Sequence, residues 1–235
     1  MKEILTKPKL LIPSGELEKR ITPFFEEAGI RSSRTSIRSL QSSTNMGVTF
    51  VQVRASDIPN VLRLGLPDVI GGIAGSDSFL EQTGEVYPGI EVPVYPDRRP
   101  RIAIAATKEF LEEQGGTASL TDLAGKMITT TLPNMTRSAF EQIGMGTVTF
   151  PASEENAHAV TIFPVGGKTE ALPLMSSSCP AVLDVVDSGG TLVANGLEVI
   201  KDLHEVSVRL VVASGITNEN LEIFTRFQEM ITQVY

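Results

Sequence analysis

Short apolar segments alternate with helical patterns along most of the chain. Residues 9–12 form one such segment, after which Leu17 and Ile21 recur at helical spacing. The same order of strand and helix begins again at residues 69–75 and at residues 102–106. Because strands that alternate with helices on this scale usually pair in parallel, the pattern predicts a largely parallel α/β fold.

Two stretches interrupt this alternation. Residues 31–45 are rich in Ser and Arg and poor in apolar residues, so they are predicted to be mostly loop. Farther along, Pro93, Pro96 and Pro100 break any regular pattern between residues 92 and 101. The prolines predict a hinge or a crossover between two domains.

Composition limits the compartment and the class of partner. Cys179 is the only cysteine, which rules out an internal disulfide and favours a reducing cytoplasm. No apolar run approaches the roughly 20 residues that cross a bilayer, and the first residues do not resemble a secretory signal. The net charge of −8 argues against binding to duplex nucleic acid. The negative charge does not exclude a small anionic ligand, since backbone amides can bind phosphate within an acidic protein.

The most informative segment is residues 181–197, in which an apolar run leads into Asp184 and then into a glycine-bearing loop. The loop consists of Asp187, Ser188, Gly189, Gly190 and Thr191. Glycines let the backbone approach a ligand, while amides, hydroxyls and the dipole of a following helix favour phosphate oxygens. An acid just before such a loop can accept hydrogen bonds from ribose hydroxyls.

An ordinary turn explains the same residues equally well when they are taken alone. Two glycines after a polar pair are frequent between secondary-structure elements, whether or not they bind a ligand. The segment by itself therefore leaves phosphate binding and a simple turn both open.

The segment resembles the phosphoribosyl-diphosphate loop of ATP phosphoribosyltransferases, whose pattern is roughly D-L-V-x-[ST]-G-x-T-L-x-x-N-G-L. Five further segments resemble family patterns and occur in the family's order: residues 11–17 (A-x-P-K-G-R-L), 53–59 (V-R-x-x-D-I-P), 72–77 (G-I-x-G-x-D), 132–137 (Y-P-N-x-T-R) and 167–170 (G-S-x-E). Together they cover most of the chain from residue 10 to about residue 213. The chain is thus similar to the catalytic chain of the short form of this family.

This resemblance implies a domain plan and partners. The fold would consist of two mainly parallel α/β domains around a cleft, as in periplasmic binding proteins. Residues 1–97 and 198–235 would form the nucleotide-side domain, and residues 98–197 would form the domain that carries the phosphoribosyl-diphosphate loop. By this resemblance, the chain is expected to lack the regulatory domain of the long form. A separate regulatory chain and a homo-oligomer are therefore expected.

The resemblance also implies a reaction. In this family, N1 of ATP displaces pyrophosphate from C1 of phosphoribosyl diphosphate with inversion, which is the first step of histidine biosynthesis. Mg²⁺ is expected to travel with the diphosphate rather than to occupy a cage of protein ligands. The chemistry requires an oriented acceptor and stabilised charge, so no catalytic nucleophile or triad is predicted.

Site residues follow position by position from the matched segments. Asp184 would bind the ribose hydroxyls, residues 187–191 would hold the 5′-phosphate, and Glu170 would complete that part of the site. The nucleotide side would include Ser14, Gly15, Glu16, Arg54, Asp57, Asp77, Arg101, Asn134, Thr136 and Arg137. Structural alternatives stay open for some of them, because Asp57 and Asp77 could simply cap helices and Arg137 could be a solvated helix residue.

The chain departs from the family pattern mainly by losing positive charge. Ser14 and Glu16 stand where the family has Lys and Arg, Ser76 replaces a usual base, and Val193 replaces a usual Arg. Each charge-assisted contact to a phosphate contributes ~1.5–3 kcal/mol, so these losses bear directly on nucleotide binding.

Two explanations of the lost charges remain. Other bases, such as Lys9, Lys126 or Lys168, or bases from a partner chain, replace the missing ones. Alternatively, the acceptor is not ATP, and the chain transfers phosphoribose to another acceptor or binds a small ligand without turnover. The retained loop favours a phosphoribosyl site in either case.

Overall fold

A computed structural model describes residues 7–85, 87–95, 97–151 and 158–234. The chain forms two compact units, one made of residues 1–96 and 207–235 and the other of residues 97–206. Pro96, one of the predicted hinge residues, lies outside the described residues.

Strands and helices alternate along the described residues. The strands are β1 (Lys9–Pro13), β2 (Ser32–Arg34), β3 (Gln41–Thr44), β4 (Thr49–Val53), β5 (Val69–Gly75), β6 (Ile90–Val92), β7 (Arg101–Thr107), β8 (Met127–Thr130), β9 (Thr147–Thr149), β10 (Val160–Pro164), β11 (Ala181–Val186), β12 (Leu197–Glu205) and β13 (Val208–Val212). The helices are α1 (Glu16–Glu27), α2 (Ile58–Arg63), α3 (Ser76–Thr83), α4 (Lys108–Glu113), α5 (Pro133–Glu141), α6 (Gly190–Ala194) and α7 (Asn218–Thr232). Short 3₁₀ turns occur at Ala55–Asp57, Leu120–Leu123 and Thr169–Ala171.

Each unit contains one sheet. The strand order in the first unit is β2-β3-β4-β1-β5-β13-β6, and in the second unit it is β12-β7-β11-β8-β10-β9. The prediction of two α/β sheets is confirmed. Pairing is parallel among β4, β1 and β5 and among β11, β8, β10 and β9. The remaining neighbours pair antiparallel, which the pattern of short apolar runs did not indicate.

Strand β12 determines where the second unit ends. It pairs antiparallel with β7 from Leu197↔Thr107 to Glu205↔Arg101, so residues 197–205 belong to the second sheet. The structural boundary therefore falls at Ser207, whereas the domain plan drawn from the resemblance places it at residue 198.

Residues 31–45 form a β-hairpin rather than the predicted loop. Strands β2 and β3 pair antiparallel, and β3 then continues onto β4. The three residues of β2 are all exposed, so they show no alternation of apolar and polar side chains that would reveal a strand. This hairpin places β2 at one edge of the first sheet.

The core of the first unit is built around three phenylalanines. The ring centroids of Phe25, Phe50 and Phe227 lie 5.3 to 6.0 Å apart, within the range of favourable aromatic pairs. Helix α7 approaches β5 closely because Gly71 has no side chain. A Cβ at Gly71 would lie 2.4 Å from Cε2 of Phe224, a separation that no packed pair of carbons tolerates.

The second unit has a smaller apolar cluster, and two of its members flank the loop at residues 187–191. Its buried members are Ala103, Ala105, Val182, Val186, Leu192 and Leu197. Among the residues that the structure describes, no helix is both long and apolar enough to span a bilayer.

Candidate functional site

The loop at residues 187–191, whose last two residues begin α6, is fixed at both of its ends. Val186, at the end of β11, and Leu192, in α6, are both buried in the apolar cluster of the second unit. The loop between them is consequently short and anchored, while Asp187, Ser188 and Thr191 are exposed. An anchored loop with exposed polar groups loses little conformational freedom when it binds a ligand.

Gly189 permits the sharp turn from strand to helix. Its φ of +79° lies in the left-handed region, which residues with a Cβ adopt only at a cost. The Oγ of Ser188 accepts a hydrogen bond from the amide of Gly190 at 3.3 Å, which keeps the turn compact. Because α6 has only five residues, any anion would be held mainly by the loop's own amides and hydroxyls, not by a helix dipole.

A pocket of about 170 Å³ opens beside this loop. It is lined by Glu170, Asp184, Val185, Val186, Asp187, Ser188, Gly189, Thr191 and Leu192. Six of the seven residues predicted to bind phosphoribosyl diphosphate therefore line one pocket, and Gly190, the seventh, lies between two of them in the loop. These residues come from β11, the loop, α6 and the 3₁₀ turn Thr169–Ala171.

The carboxylate of Asp184 is held by three hydrogen bonds. Thr169 Oγ1 donates to Oδ2 at 2.7 Å, and Thr131 Oγ1 donates to Oδ1 at 3.3 Å. The amide of Val185 also donates to Oδ1, at 2.8 Å. An ionised carboxylate can accept about four hydrogen bonds, so about one acceptor position remains for a ligand.

The pKa of Asp184 is raised above its ordinary value. Burial is the largest cause, because it disfavours the charged form, and the nearby negative charge of Glu170 acts in the same direction. The hydrogen bonds from Thr169, Val185 and Thr131 act in the opposite direction but do not cancel the effect of burial. A carboxylate kept in an unfavourable environment beside a pocket is typical of a functional site.

This shift predicts how stability depends on pH. The folded protein keeps the Asp184 proton to a higher pH than the unfolded chain, whose aspartate titrates near 3.8. The stability that the protonated form contributes is complete below pH 3.8 and is lost as pH rises through the raised pKa. Asp184→Asn cannot ionise, so it should be more stable than wild type near neutral pH, and this gain should vanish towards pH 4. Thermal unfolding of both proteins without ligand, across this pH range, measures the difference. A less stable Asn variant at neutral pH would contradict burial as the dominant cause.

Thr169 was not assigned a role from the sequence, although it lies within the matched segment at residues 167–170. Its side chain is fully buried, and Thr129 Oγ1 donates to its backbone carbonyl at 2.8 Å. The preceding residue, Lys168, has a left-handed φ of +50°, so the chain turns sharply just before Thr169. Thr169 is therefore a positioning residue for the Asp184 carboxylate.

Replacing Thr169 by valine removes this hydrogen bond at nearly constant volume. A hydrogen bond to a charged group contributes ~1.5–3 kcal/mol, so we expect the KM for phosphoribosyl diphosphate to rise roughly 10- to 100-fold. Loss of the donor raises the pKa of Asp184 further, so the acid limb of the kcat/KM profile should move to higher pH. Thr169→Ser retains the hydroxyl and should keep both properties close to wild type.

Thr136→Val provides a matched control for this experiment. Thr136 is also a fully buried threonine of the second unit, but its hydroxyl donates to the backbone carbonyl of Leu132 at 2.8 Å. Its replacement should lower stability without moving the pH profile. Equal pH shifts in Thr136→Val and Thr169→Val would show that Thr169 has only a structural role.

Carboxylates dominate the charge of the pocket. Three of its lining residues are acids and none is a base: Glu170, Asp184 and Asp187. Among the described residues, no group of three or more His, Cys, Asp or Glu side chains could together hold a metal ion. One or two carboxylates near a diphosphate suit Mg²⁺, which usually keeps most of its ligands as water and substrate phosphate. The donors present are thus compatible with a magnesium ion brought by the substrate.

In the first unit, the predicted nucleotide residues lie at the start of three helices. Ser14 and Gly15 connect β1 to α1, whose first residue is Glu16. Glu16 and Lys19 form an ion pair at 2.9 Å, and this contact lowers the pKa of Glu16. Both side chains are more than 70% exposed, so the pair reduces the local negative charge but adds little stability.

Asp57 makes no capping hydrogen bond, and Asp77 is not the N-cap residue of its helix. Asp57 occupies the N-cap position of α2, yet its side chain makes no capping hydrogen bond. Asp77 lies in the first turn of α3, where Gly75 is the N-cap residue. Arg54 precedes the 3₁₀ turn at Ala55–Asp57, is exposed, and forms no ion pair with any residue that the structure describes.

In the second unit, the structure shows the partners of Arg101, Arg137 and Thr136. Arg101 pairs with Asp202 at 2.5 Å, and Arg137 donates to the hydroxyls of Thr147 and Thr149 at 3.4 and 2.9 Å. The prediction that Thr136 contacts the nucleotide is wrong, because its fully buried hydroxyl donates to the carbonyl of Leu132 and cannot reach a ligand. Asn134 is exposed in the first turn of α5.

Comparisons of the sequence with known proteins agree on one family. The sequence model of the ATP phosphoribosyltransferase family matches residues 54–234. A protein of Caldicellulosiruptor saccharolyticus named ATP phosphoribosyltransferase is 28% identical over 86% of this chain and 87% of its own length. A protein of Bacillus cereus with the same name is 26% identical over 92% of both chains.

A solved structure supports the fold. The chain is similar to one from the ATP phosphoribosyl transferase (HisG:HisZ) complex of Thermotoga maritima, with a TM-score of 0.73. The likeness covers 97% of this chain and 98% of the other, at 23% sequence identity.

Proposed function

The chain belongs to the ATP phosphoribosyltransferase family, and we propose that its pocket at Asp184 and residues 187–191 binds phosphoribosyl diphosphate. The family's reaction is the first step of histidine biosynthesis. N1 of ATP joins C1 of phosphoribosyl diphosphate, and pyrophosphate leaves. The protein is accordingly a transferase.

The observation that carries the proposed site is the arrangement around Asp184. Three donors fix the carboxylate in the wall of the pocket, and about one acceptor position remains unused. A ribose hydroxyl is a neutral donor of suitable size for that position. The second hydroxyl of the ribose would donate to Glu170, which lines the same pocket.

The loop would bind the 5′-phosphate. Backbone amides on either side of Gly189, with the hydroxyls of Ser188 and Thr191, offer donors at the exposed end of the pocket. Asp187 begins the loop and would face the hydroxyls or the metal rather than phosphate oxygens, since two negative groups repel each other in contact. Lys168 is an exposed base next to the Thr169–Ala171 turn and would supply a positive charge close by.

The proposed mechanism is direct displacement. The pocket holds the ribose so that C1 is open to the acceptor nitrogen on the face opposite the diphosphate, which gives inversion. A thiol intermediate is not supported, because Cys179 is buried and burial raises its pKa to about 11. The side chains would contribute orientation and charge stabilisation, which can supply most of the rate increase for such a transfer.

Magnesium fits this scheme as a companion of the substrate. When bound, Mg²⁺ would neutralise charge on the leaving pyrophosphate. Asp187 is the side chain that would face it, directly or through water. The three acids of the pocket would otherwise repel a polyanionic substrate, so binding of phosphoribosyl diphosphate is expected to depend on Mg²⁺.

For the acceptor, most of the proposed contacts are in the first unit. Arg54 is the exposed, positively charged side chain best suited to bind a phosphate of the nucleotide. Asp57 and Asp77 could accept hydrogen bonds from the ribose or the nucleobase of the same nucleotide. Ser14, Gly15 and Glu16 form the turn after β1 and are proposed contacts as well. In the second unit, the proposed contacts are Asn134, Arg101 and Arg137. Thr136 is no longer included.

Partners and location complete the proposal. The Thermotoga maritima relative was solved as a complex of two kinds of chain, HisG and HisZ. We therefore propose a separate regulatory chain for this protein as well, together with a homo-oligomer of the catalytic chain. A location in the cytoplasm agrees with the single buried cysteine.

The identity of the acceptor is tested with the purified protein. Phosphoribosyl diphosphate and Mg²⁺ are incubated with ATP, with GTP or with AMP, and the products are identified by mass spectrometry. The expected result is a single product with the mass of ATP plus a phosphoribosyl group. Product with another acceptor but not with ATP would contradict the proposal for the nucleotide side while supporting the phosphoribosyl pocket.

A further inference from the structure

Asn195 and Gly196 lie near the end of the segment that resembles the phosphoribosyl-diphosphate loop, yet neither residue lines the pocket beside that loop. Asn195 directly follows the last residue of α6, and Gly196 comes next with a left-handed φ of +69°. A glycine in this conformation is common just after the end of a helix. The turn therefore explains Gly196, whereas the side chain of Asn195 requires another explanation.

The side chain of Asn195 is hydrogen-bonded to the backbone of a pocket residue. Its Nδ2 donates to the carbonyl of Thr191 at 2.8 Å, and the backbone amide of Asn195 donates to the same carbonyl at 3.2 Å. Thr191 lines the pocket, and its hydroxyl is one of the two proposed to bind the 5′-phosphate. The end of α6 is thus joined directly to the proposed site.

Helix α6 depends on such contacts because it is short. It has only five residues, and an isolated helix of this length is not stable in water. Leu192 is its one buried residue, while Val193 and Ala194 are exposed. A single buried leucine attaches the helix to the core but does not by itself fix its orientation. The contacts at the end of the helix must therefore contribute to that orientation.

The chain just after α6 is anchored to the sheet of the second unit. The carbonyl of Gly196 accepts a hydrogen bond from the amide of Lys108, the first residue of α4, at 3.0 Å. Leu197 is buried and begins β12, where it pairs with Thr107 of β7. The sheet thus sets the position of Asn195, and the Asn195 side chain passes this position on to Thr191.

We propose that Asn195 is a positioning residue for the phosphoribosyl pocket. Its side-chain amide holds Thr191 in the orientation in which the Thr191 hydroxyl binds phosphate. This inference deepens the proposed function of the pocket and rests on it. Because Asn195 would not contact the substrate itself, its loss should weaken binding of phosphoribosyl diphosphate without slowing the chemical step.

The test compares Asn195→Leu with wild type, using the full chain and initial rates with Mg²⁺. Leucine has nearly the shape of asparagine but no donor. The KM for phosphoribosyl diphosphate should rise roughly 3- to 10-fold, the size of effect expected from one neutral hydrogen bond. Both kcat and the KM for ATP should stay within about twofold of wild type. Asn195→Asp replaces the donor by a charged acceptor facing a carbonyl, so it should raise the KM for phosphoribosyl diphosphate further.

Asn220→Leu is the matched control. The Nδ2 of Asn220 also donates to a backbone carbonyl, that of Pro67, at 3.0 Å, but both residues belong to the first unit. This change should lower the thermal unfolding temperature about as much as Asn195→Leu does, and it should leave the KM for phosphoribosyl diphosphate unchanged. Equal KM changes in the two leucine variants would show that Asn195 has only a structural role.

A double-variant cycle tests whether Asn195 acts through Thr191. Once Thr191→Val has removed the hydroxyl, the loss of the Asn195 amide should matter less. The double variant should therefore raise KM by clearly less than the product of the two single changes. Independent effects that simply multiply, a wild-type KM in Asn195→Leu or Asn195→Asp, or a fall in kcat at unchanged KM would each overturn the inference.

Calorimetric titration with phosphoribosyl diphosphate and Mg²⁺ separates this inference from the proposed function. Wild type should bind, and Asn195→Leu should bind with a dissociation constant roughly 3- to 10-fold higher. Equal binding by both proteins would overturn the role of Asn195 alone. Absence of binding to wild type would overturn the proposed function of the pocket and this inference with it.

Discussion

Replacing Asp184 by alanine should lower kcat/KM for phosphoribosyl diphosphate by at least about 100-fold. The carboxylate is the acceptor proposed for a ribose hydroxyl, and the ~1.5–3 kcal/mol of a charge-assisted hydrogen bond alone accounts for roughly 10- to 100-fold of this loss. Its loss also leaves the hydroxyls of Thr169 and Thr131 without their acceptor. These groups would then form hydrogen bonds with water in the space that the ribose should occupy. Initial rates at varied phosphoribosyl diphosphate and saturating ATP measure the effect.

Two controls separate this effect from unfolding. Glu112 is an exposed acid of α4 in the same unit, and Glu112→Ala should keep the activity of wild type. Asp184→Asn should be inactive although it is at least as stable as wild type near neutral pH, for the reason given by the raised pKa. An Asp184→Ala enzyme with more than about a tenth of the wild-type kcat/KM would exclude this carboxylate from the site.

A negative charge introduced into the loop should have an effect of similar size. A Cβ at Gly190 would meet Ser188 Oγ at 3.5 Å, an ordinary contact, so a side chain fits there. Gly190→Glu would place a carboxylate near the proposed 5′-phosphate. Two unit charges about 4 Å apart repel by about 4 kcal/mol at an effective dielectric constant of 20. We therefore expect the KM for phosphoribosyl diphosphate to rise by roughly 100-fold or more.

Gly190→Gln is the control of nearly equal size. It tests whether the loop tolerates a longer side chain, and it should raise KM by no more than about 10-fold. The informative quantity is the ratio of the two KM values, because shape and flexibility cancel in it. If the Glu and Gln variants had the same KM, no phosphate would bind near Gly190.

The site residues that could be predicted from the sequence lie close to one another along the chain. Asp184 and residues 187–191 lie within one strand–loop–helix segment, so their order alone places them close together. The resemblance to family patterns added Glu170, which comes from a different element. All of these residues except Gly190 line one pocket, because β11 and the 3₁₀ turn at Thr169–Ala171 lie next to each other.

Contacts between distant residues could not be predicted in the same way. Thr131 is 53 residues from Asp184, and Arg101 is 101 residues from its partner Asp202. Such pairs depend on strand order in the second sheet, which a single sequence does not reveal. Thr136 is different, because the sequence alone could have excluded it from the site. It is buried with Met135, Ala139 and Phe140 on one face of α5, a spacing visible in the sequence.

Release of pyrophosphate from phosphoribosyl diphosphate and Mg²⁺, followed with and without ATP, tests the central claim most directly. It is measured on wild type and on Asp184→Ala, each with and without a candidate regulatory chain. The predicted result is release that requires ATP and disappears in the Asp184 variant. No release from wild type under any of these conditions, or equal release from the variant, would contradict phosphoribosyl transfer at this pocket.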